Sequence, residues 1–268
     1  PDVLRVRTET WAQGLREGVV EPFADFFRRF GGALALALDK IEEKAKKIAA
    51  HLMEASDADI EFRNGEFTVK GTDKKVAFGE VALAAYVPHN YPLDKLEPGL
   101  DESAFYDPTN FTYPGGTHIC EVEVDPETGV VRIDRFTAVD DFGVVVNPMI
   151  VEGQVHGGIM QGVGQALMER VVYDPDSGQL LTGSLMDYAA PRADDIRALF
   201  RTEMDESTPC KNNPLGVKGV GELGTIGATP CVVNAVADAL ARNGRAELAP
   251  RLQMPITPAR LWQLLQAH

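Results

Sequence analysis

Residues 118–136 read HICEVEVDPETGVVRIDRF, in which two runs of alternating apolar and polar residues flank the turn sequence DPETG. Alternation with a period of two is typical of half-buried strands, and the D-P-x-T-G pattern is typical of a turn. We therefore predict a hairpin with strands at His118–Val124 and Val130–Phe136. The following stretch, 151–169, reads VEGQVHGGIMQGVGQALME and predicts a helix interrupted by glycines. Glycines lack a Cβ, so this helix is expected to pack closely on another backbone or on a ligand.

Helices and strands alternate along the rest of the chain. Apolar residues recur at helical spacing from Leu34 to Leu52, and Asn64-Gly65 predicts a type I′ hairpin turn. Further predictions are a strand at 3–7, a helix at 78–86, a hairpin at 171–183 around DPDSG, a helix at 229–242 with Thr229 as N-cap and Pro230 at its first position, and a helix at 257–266. The mixture indicates an α+β (mixed α/β) fold. A long loop at 87–115, rich in Pro, Asn, Asp and Gly, is a candidate subdivision of the chain.

Composition excludes some classes of function. The 268 residues carry a formal net charge of −14, which argues against binding to nucleic acid or to an anionic membrane surface. The three cysteines (Cys120, Cys210 and Cys231) are widely spaced and form no C-x-x-C, so we predict no zinc site, no cysteine-held iron–sulfur cluster and no other metal ligand in this chain. No apolar run of about 18 residues and no signal peptide is evident, and we predict a cytoplasmic protein without a membrane span.

A second glycine-rich stretch surrounds a single acid. Residues 213–230 read NPLGVKGVGELGTIGATP, and the acid is Glu222. Glycine allows backbone amides to approach a ligand closely, and a carboxylate held there is a candidate general base. The stretch lacks the G-x-x-x-x-G-K-[ST] and G-x-G-x-x-G spacings of nucleotide-binding loops. Two alternatives are a flexible loop with a solvated acid, and an anion site at the N-terminus of the helix predicted from Thr229.

The glycine-containing helix also offers polar side chains, namely Gln154, His156 and Gln161. A glutamine amide carries both donors and an acceptor and can bind the edge of a ring with two hydrogen bonds. The alternative is a helix packed tightly through its glycines, with its glutamines exposed to solvent.

Four segments, in this order, resemble a single family. They are CEVEVDPETGVVRIDRFTAVDDFGVVVNPMIVEGQVHGGIMQGVGQALMER at 120–170, MDYAAPRADDI at 186–196, NPLGVKGVGELGTIGATPCVVNAVADAL at 213–240 and MPITPARLW at 254–262. Together they resemble the C-terminal part of the molybdenum-binding large subunit of the xanthine oxidase / aldehyde oxidoreductase family. The segment AFYDPTNFTYPGGTH at 104–118 is most similar to the aerobic carbon monoxide dehydrogenase type. The resemblance covers roughly residues 32–268, and it implies that 1–268 is the C-terminal portion of a molybdenum-cofactor-binding domain.

The resemblance assigns roles to named residues. Glu222 matches the family's active-site glutamate beside molybdenum, which accepts a proton from a metal-bound hydroxide as it attacks an electrophilic carbon. Gln154 matches the glutamine of a G-Q motif that contacts the pterin. The loop that carries the glutamate to the metal is matched by Lys218, Gly219, Val220 and Gly221.

Cofactors and partners follow from the same resemblance. It implies a molybdenum–pterin cofactor in its cytosine dinucleotide form, with copper as well if the enzyme is a carbon monoxide dehydrogenase. Iron–sulfur clusters and FAD would be carried by an iron–sulfur subunit and a flavin subunit. The N-terminal half of the large subunit, or a separate chain that supplies it, would complete an oligomer. The reaction would be oxidation of an aldehyde, an N-heterocycle or carbon monoxide with water as the oxygen source.

One stretch departs from the family pattern. Relatives carry small polar residues upstream of the first helix, whereas residues 8–32 here read TETWAQGLREGVVEPFADFFRRFGG. Bulky side chains at these positions would crowd a cofactor. The alternative hypothesis is therefore a degenerate or truncated, non-catalytic fragment that keeps the fold and binds no cofactor.

Overall fold

A computed structural model of the chain describes residues 22–195 and 199–266, and it describes side chains from residue 30 onward except at position 199. The strand predicted at 3–7 and the side chains of the atypical stretch up to residue 29 lie outside this description. The described chain divides into two compact units, which are residues 22–109 with 213–215 and residues 110–212 with 216–266.

The first unit combines two helices with a small antiparallel sheet. In chain order it contains α1 (Pro22–Met53), a 3-10 turn (Asp57–Asp59), β1 (Ile60–Arg63), β2 (Glu66–Val69), β3 (Lys75–Ala77) and α2 (Phe78–Tyr86), with sheet order β1-β2-β3. Ile48, Phe67 and Val81 are fully buried in its core. The predicted helical face enters this core through its C-terminal half, whereas Leu38 nearer the N-terminus is half exposed.

The Asn64-Gly65 hairpin is confirmed. Both residues have positive φ, 50° and 80°, as a type I′ turn requires, and Arg63 pairs with Glu66 across the two-residue loop. Phe62 stacks on Phe67 with ring centroids 4.4 Å apart, which fixes the register on the apolar face.

The second unit is built on a three-stranded mixed sheet. Strands β4 (Gly115–Val124) and β5 (Val131–Asp141) form the predicted antiparallel hairpin, with a register irregularity between Glu121 and Val122. Strand β6 (Leu199–Asp205) pairs in parallel with β5, so the sheet order is β4-β5-β6. We did not predict β6, although its residues FRTEM at 200–204 do alternate apolar or small residues with charged ones.

Two helices pack on one another in this unit. Helix α3 (Pro148–Leu167) begins at the N-cap Asn147, whose side chain accepts a hydrogen bond from the Ile150 amide at 3.2 Å. Helix α4 (Leu223–Arg242) runs parallel to it, because contacts advance together along both helices from Gly158–Gly224 to Gly162–Ala228. Buried side chains from the sheet and both helices form the core, among them Phe136, Ala138, Ile159, Val163, Ala228 and Val232.

The predicted start of the second of these helices was wrong. It begins at Leu223 rather than Thr229, and Pro230 lies inside it. Pro230 lacks the N–H that would bond to the Ile226 carbonyl, and both residues are exposed. The Thr229 hydroxyl contacts the Gly162 carbonyl at 3.3 Å and the Gln165 side chain at 3.0 Å instead of capping a helix. The alternative of an anion site at Thr229 therefore loses the helix N-terminus on which it depended.

The second predicted hairpin is reduced to a turn. The DPDSG segment closes with Gly178 at φ 70°, but its flanks form one isolated bridge, Tyr173 to Leu180, and a bond from the Leu181 amide to the Val172 carbonyl at 2.9 Å. The two flanks are thus too irregular to count as strands.

The C-terminal elements form a separate small core. A 3-10 helix (Ala246–Arg251) and α5 (Pro258–Gln266) enclose Leu248, Leu261 and Leu265 with the end of α4. By length and composition α4 could also cross a membrane, contrary to our reading of the sequence, but its apolar face here lies in the cores of this unit. The helices and sheets confirm the predicted mixed α+β fold.

Candidate active site

A hydrogen bond brings the two glycine-rich segments together. The Gln154 side-chain amide on α3 donates to the Gly221 carbonyl, with 2.6 Å between Nε2 and the oxygen. Among the described residues this is the one side-chain bond of Gln154, so its second N–H and its Oε1 are available to another group. Two residues predicted separately from the sequence are therefore neighbours in the fold.

The loop before Glu222 is anchored to the end of β5. The Lys218 amide donates to the Phe142 carbonyl at 2.7 Å, and the Val144 amide donates to the Gly216 carbonyl at 3.0 Å. Gly143 and Gly216 both have positive φ, and a Cβ on Gly143 would lie 2.1 Å from the Gly216 oxygen. Both positions therefore require glycine.

An ion pair adds to this anchor. The Lys218 ammonium lies 2.5 Å from an oxygen of Asp141, and both side chains are largely buried, at 11% and 22% exposed. The other Asp141 oxygen accepts from the Gly143 amide at 2.8 Å. Asp205 is paired with Asp141 in the parallel register, and its pKa is lowered by hydrogen bonds from Ser207 and, less strongly, by the Lys218 charge. The side chain of Lys218, predicted to contact cofactor, is thus already engaged by the Asp141 carboxylate.

Glu222 occupies the N-cap position of α4. Its carbonyl accepts the Ile226 amide at 2.9 Å, which begins the helix, while its side chain makes no capping bond and is exposed. The backbone of Glu222 is thus fixed, because the loop before it and the helix after it are both held by hydrogen bonds. Its carboxylate is exposed to solvent.

The glycines around this point fall into two groups. A Cβ on Gly158 would lie 3.0 Å from the Gly224 Cα, and one on Gly224 would lie 2.6 Å from the Val155 carbonyl, so the helix crossing itself requires these two. Gly153, Gly157 and Gly221 have open space where a Cβ would lie. Glycine in a helix interior costs about 1 kcal/mol relative to alanine, so Gly153 and Gly157 are not explained by packing within the described chain.

The remaining polar residues of the helix serve packing. His156 bonds to the Thr202 hydroxyl at 3.2 Å and stacks on Phe200, and the Thr225 hydroxyl donates to Gly158 and contacts Gln161, both at 2.9 Å. These contacts connect α3 to β6 and to α4. The sequence grouped His156 and Gln161 with Gln154, but the structure separates their contacts from the Glu222 loop.

Sequence reasoning missed two adjacent acids on β5. Asp140 is 1% exposed and lies 3.1 Å from Nε2 of the buried His118, while Asp141 binds Lys218. The available signal was a pair of acids ending an otherwise apolar strand, FTAVDDF at 136–142, because a buried acid requires a partner.

Two of the three thiols are screened from water. Burial raises the pKa of Cys120 to about 12, with smaller contributions from Cys231 and Glu121, and burial also raises the pKa of Cys231. Neither thiol is therefore a candidate nucleophile or thiolate ligand. Among residues 22–195 and 199–266 no group of three His, Cys, Asp or Glu side chains is placed to hold a metal ion.

Apolar side chains near the Gln154–Gly221 bond are exposed. Met149 and Ile150 on the first turn of α3 are 77% and 64% exposed, and Ile226 on the first turn of α4 is 68% exposed. Such a grouping is typical of a surface that another body covers.

Comparison with known proteins identifies the family of the chain. The family profile described as "Molybdopterin cofactor-binding domain" matches residues 28–197. The carbon monoxide dehydrogenase large chain of Hydrogenophaga pseudoflava is 41% identical over 239 residues, which is 89% of this chain and 28% of that protein. The nicotine 6-hydroxylase large subunit of Paenarthrobacter nicotinovorans is 37% identical over 86% of this chain and 28% of its own length. A crystal structure of a Cu,Mo-CO dehydrogenase in its carbon monoxide reduced state matches with a TM-score of 0.80 and 41% identity, over 89% of this chain and 29% of that one.

The class of protein is therefore a cofactor-binding domain of molybdenum-dependent oxidoreductases. The chain belongs to the molybdopterin cofactor-binding domain family, which confirms the family predicted from the four segments. It spans between a quarter and a third of the length of these relatives.

Proposed function

We propose that this chain is the C-terminal portion of a molybdenum hydroxylase active site, with Glu222 as its general base. The observation that carries the proposal is the Gln154–Gly221 hydrogen bond at 2.6 Å. It places the residue predicted to contact the pterin beside the residue predicted to act at the metal. Two motifs with unrelated roles would not be expected to lie in contact.

The described residues fit a bulky cofactor. Gly153, Gly157 and Gly221 leave open space at their Cα atoms, and Gln154 keeps one donor and one acceptor free beside them. We propose that these residues hold the pterin, with the backbone of Lys218, Gly219 and Val220 lining the same cofactor. The cytosine dinucleotide form is our choice from the family resemblance.

When bound, the molybdenum–pterin group supplies a two-electron acceptor. The chain's own contribution is to hold a base: Glu222 is fixed at the start of α4, and its exposed carboxylate accepts a proton as the substrate carbon is oxidised. Because Glu222 is exposed in this chain, the cofactor and a partner surface would provide the desolvation that makes a carboxylate a stronger base.

The proposed class of substrate comes from the family resemblance and from the relatives. We propose oxidation of an aldehyde, an N-heterocycle or carbon monoxide with water as the oxygen source, and copper would be required for carbon monoxide. The relatives named above act on carbon monoxide and on nicotine. Their sequence identities to this chain, 41% and 37%, differ too little to favour one of these substrates. Cytoplasmic localisation is part of the same proposal.

Partner chains complete the proposal. The chain spans 28% of its relatives, and exposed Met149, Ile150 and Ile226 lie beside the site. We propose that the remaining part of the large subunit, in the same or a separate polypeptide, covers these side chains. An iron–sulfur subunit and a flavin subunit would carry the electrons onward.

The test is Glu222→Gln in the assembly purified with its accompanying chains. Removal of the base is expected to lower kcat by about a thousandfold while molybdenum content stays at the wild-type level. Glu247→Gln, an exposed acid on the 3-10 helix of the same unit, is the matched control and should leave kcat unchanged. An unchanged kcat in Glu222→Gln would refute the assignment.

A further inference from the structure

The segment that carries Glu222 is held at both ends by neighbouring acids of one strand. Asp140 and Asp141 are adjacent on β5, so their side chains point to opposite faces of the sheet. Asp141 contacts Lys218, four residues before Glu222, and Asp140 contacts His118, which faces Gly227 five residues after it.

The first tether combines charge with hydrogen bonds. Asp141 binds the Lys218 ammonium with one oxygen and the Gly143 amide with the other, and the Lys218 amide donates to Phe142. Lys218 is therefore fixed by both its backbone and its side chain at the carboxyl end of β5. With so few residues between them, a displacement of Lys218 would be transmitted to Glu222.

The second tether depends on shape. The His118 ring is 4% exposed, Nε2 contacts Asp140 at 3.1 Å, and Nδ1 has no hydrogen-bond partner among the described residues. A Cβ on Gly227 would lie 2.3 Å from that Nδ1, so the first turns of α4 fit directly against the ring. A Cβ on Gly116 would similarly lie 2.0 Å from Asp140, which fixes the acid on its other side.

We infer that Asp141 is a positioning residue that acts through Lys218 to set the location of the Glu222 carboxylate, with the Asp140–His118 pair bracing the helical side of the same segment. This inference rests on the proposed function, because it assigns a role relative to Glu222. It assigns Asp141 no contact with substrate or cofactor.

The test compares isosteric and charge-preserving variants in the assembly purified with its accompanying chains. Asp141→Asn keeps an oxygen for the Gly143 amide and removes the charge that faces Lys218, while Lys218→Met removes the opposite charge. Lys218→Arg preserves the positive charge and serves as the rescue variant. Glu123→Gln is the matched control, since it breaks the exposed Arg132–Glu123 pair on the same hairpin. Amide hydrogen exchange at 216–222, kcat, KM and molybdenum content are measured for each.

Asp141→Asn and Lys218→Met are expected to speed exchange at 216–222 by about tenfold or more and to lower kcat by about ten- to a hundredfold, with KM changed less than about threefold. Glu123→Gln should stay near wild type, and Lys218→Arg should recover the slow exchange at 216–222 that Lys218→Met loses. Wild-type exchange in Asp141→Asn, or faster exchange with a wild-type kcat, would overturn the inference. A wild-type assembly without molybdenum or turnover would overturn the proposed function and this inference with it, and that failure is distinguishable because it appears before any substitution.

Discussion

The side-chain amide of Gln154 donates a hydrogen bond to the Gly221 carbonyl across 67 positions of sequence, and Glu222 is the next residue. The bond links the N-terminal half of α3 to the loop that precedes α4. Both segments are rich in glycine, and the bond holds them side by side.

The direction of this bond can be tested by a paired substitution. Gln154→Glu loses the donor and places a carboxylate against the Gly221 carbonyl at an exposed position, so we expect a cost of about 0.5–1.5 kcal/mol in unfolding free energy and lower molybdenum content. Gln165→Glu on the same helix should be nearly neutral, because Gln165 accepts from Thr229 and a carboxylate oxygen can do the same. Denaturant unfolding and elemental analysis measure the two effects. Equal behaviour of the pair would contradict the assigned geometry.

The two groups of glycines on α3 should respond in opposite ways. Gly153→Ala adds a methyl group into open space and should raise the free energy of unfolding of the chain by about 1 kcal/mol, while it lowers cofactor content. Gly158→Ala should destabilise the chain by about 1–3 kcal/mol, because its Cβ would meet the Gly224 backbone at 3.0 Å. Thermal unfolding and molybdenum content separate the outcomes. A Gly153→Ala variant with unchanged cofactor content would argue against a ligand at that face.

The two D-P-x-[ST]-G turns provide a matched comparison. Gly129 and Gly178 both have positive φ, 73° and 70°, but a Cβ on Gly129 would also lie 2.1 Å from the Pro258 carbonyl, whereas Gly178 faces open space. We expect Gly178→Ala to cost about 1–2 kcal/mol from backbone strain alone. Gly129→Ala should cost roughly twice that or more, since α5 must also shift. Equal losses of unfolding free energy for the two variants in denaturant titrations would contradict the contact between Gly129 and α5.

Thiol chemistry should report the burial of Cys120. Its pKa is raised from an ordinary value of 9.0 to about 12, so its thiolate fraction at pH 8 is about a thousandfold lower than that of an ordinary cysteine. The stability that follows from keeping this thiol neutral is present below pH 9 and is lost as the pH rises toward 12. Alkylation at pH 8, followed by peptide mass spectrometry, should label Cys120 slowly in the native chain and rapidly in urea. Equal rates in the two conditions would show that Cys120 is accessible.

Most of the fold could be predicted from local patterns. The hairpins at 60–69 and 118–136 and the helices at 78–86 and 257–266 formed as expected, because each combines a clear period with its turn or cap residues. The Thr-Pro signal misplaced the start of α4, since Thr229-Pro230 imitates a helix start while lying inside the helix. Strand β6 pairs in parallel with β5, and such a non-local pairing cannot be predicted from the residues next to β6 in sequence.

The candidate site was predictable only in part. The glycine patterns singled out Gln154 and Glu222, but the sequence could not distinguish Gly158, which packing requires, from Gly153, which packing does not. Lys218 was grouped with the cofactor loop, and its engagement by Asp141 depends on a contact between positions 77 residues apart.

The most direct test of the central claim is the molybdenum content of the chain, isolated from its native source with whatever accompanies it, together with mass spectrometry of those partners. We predict about one molybdenum per chain, accompanied by a second large polypeptide unless this chain is continuous with it, and by iron–sulfur and flavin proteins. A chain that folds as described but contains no molybdenum and has no partner would contradict the account and would indicate a non-catalytic fragment that retains the motifs without their use.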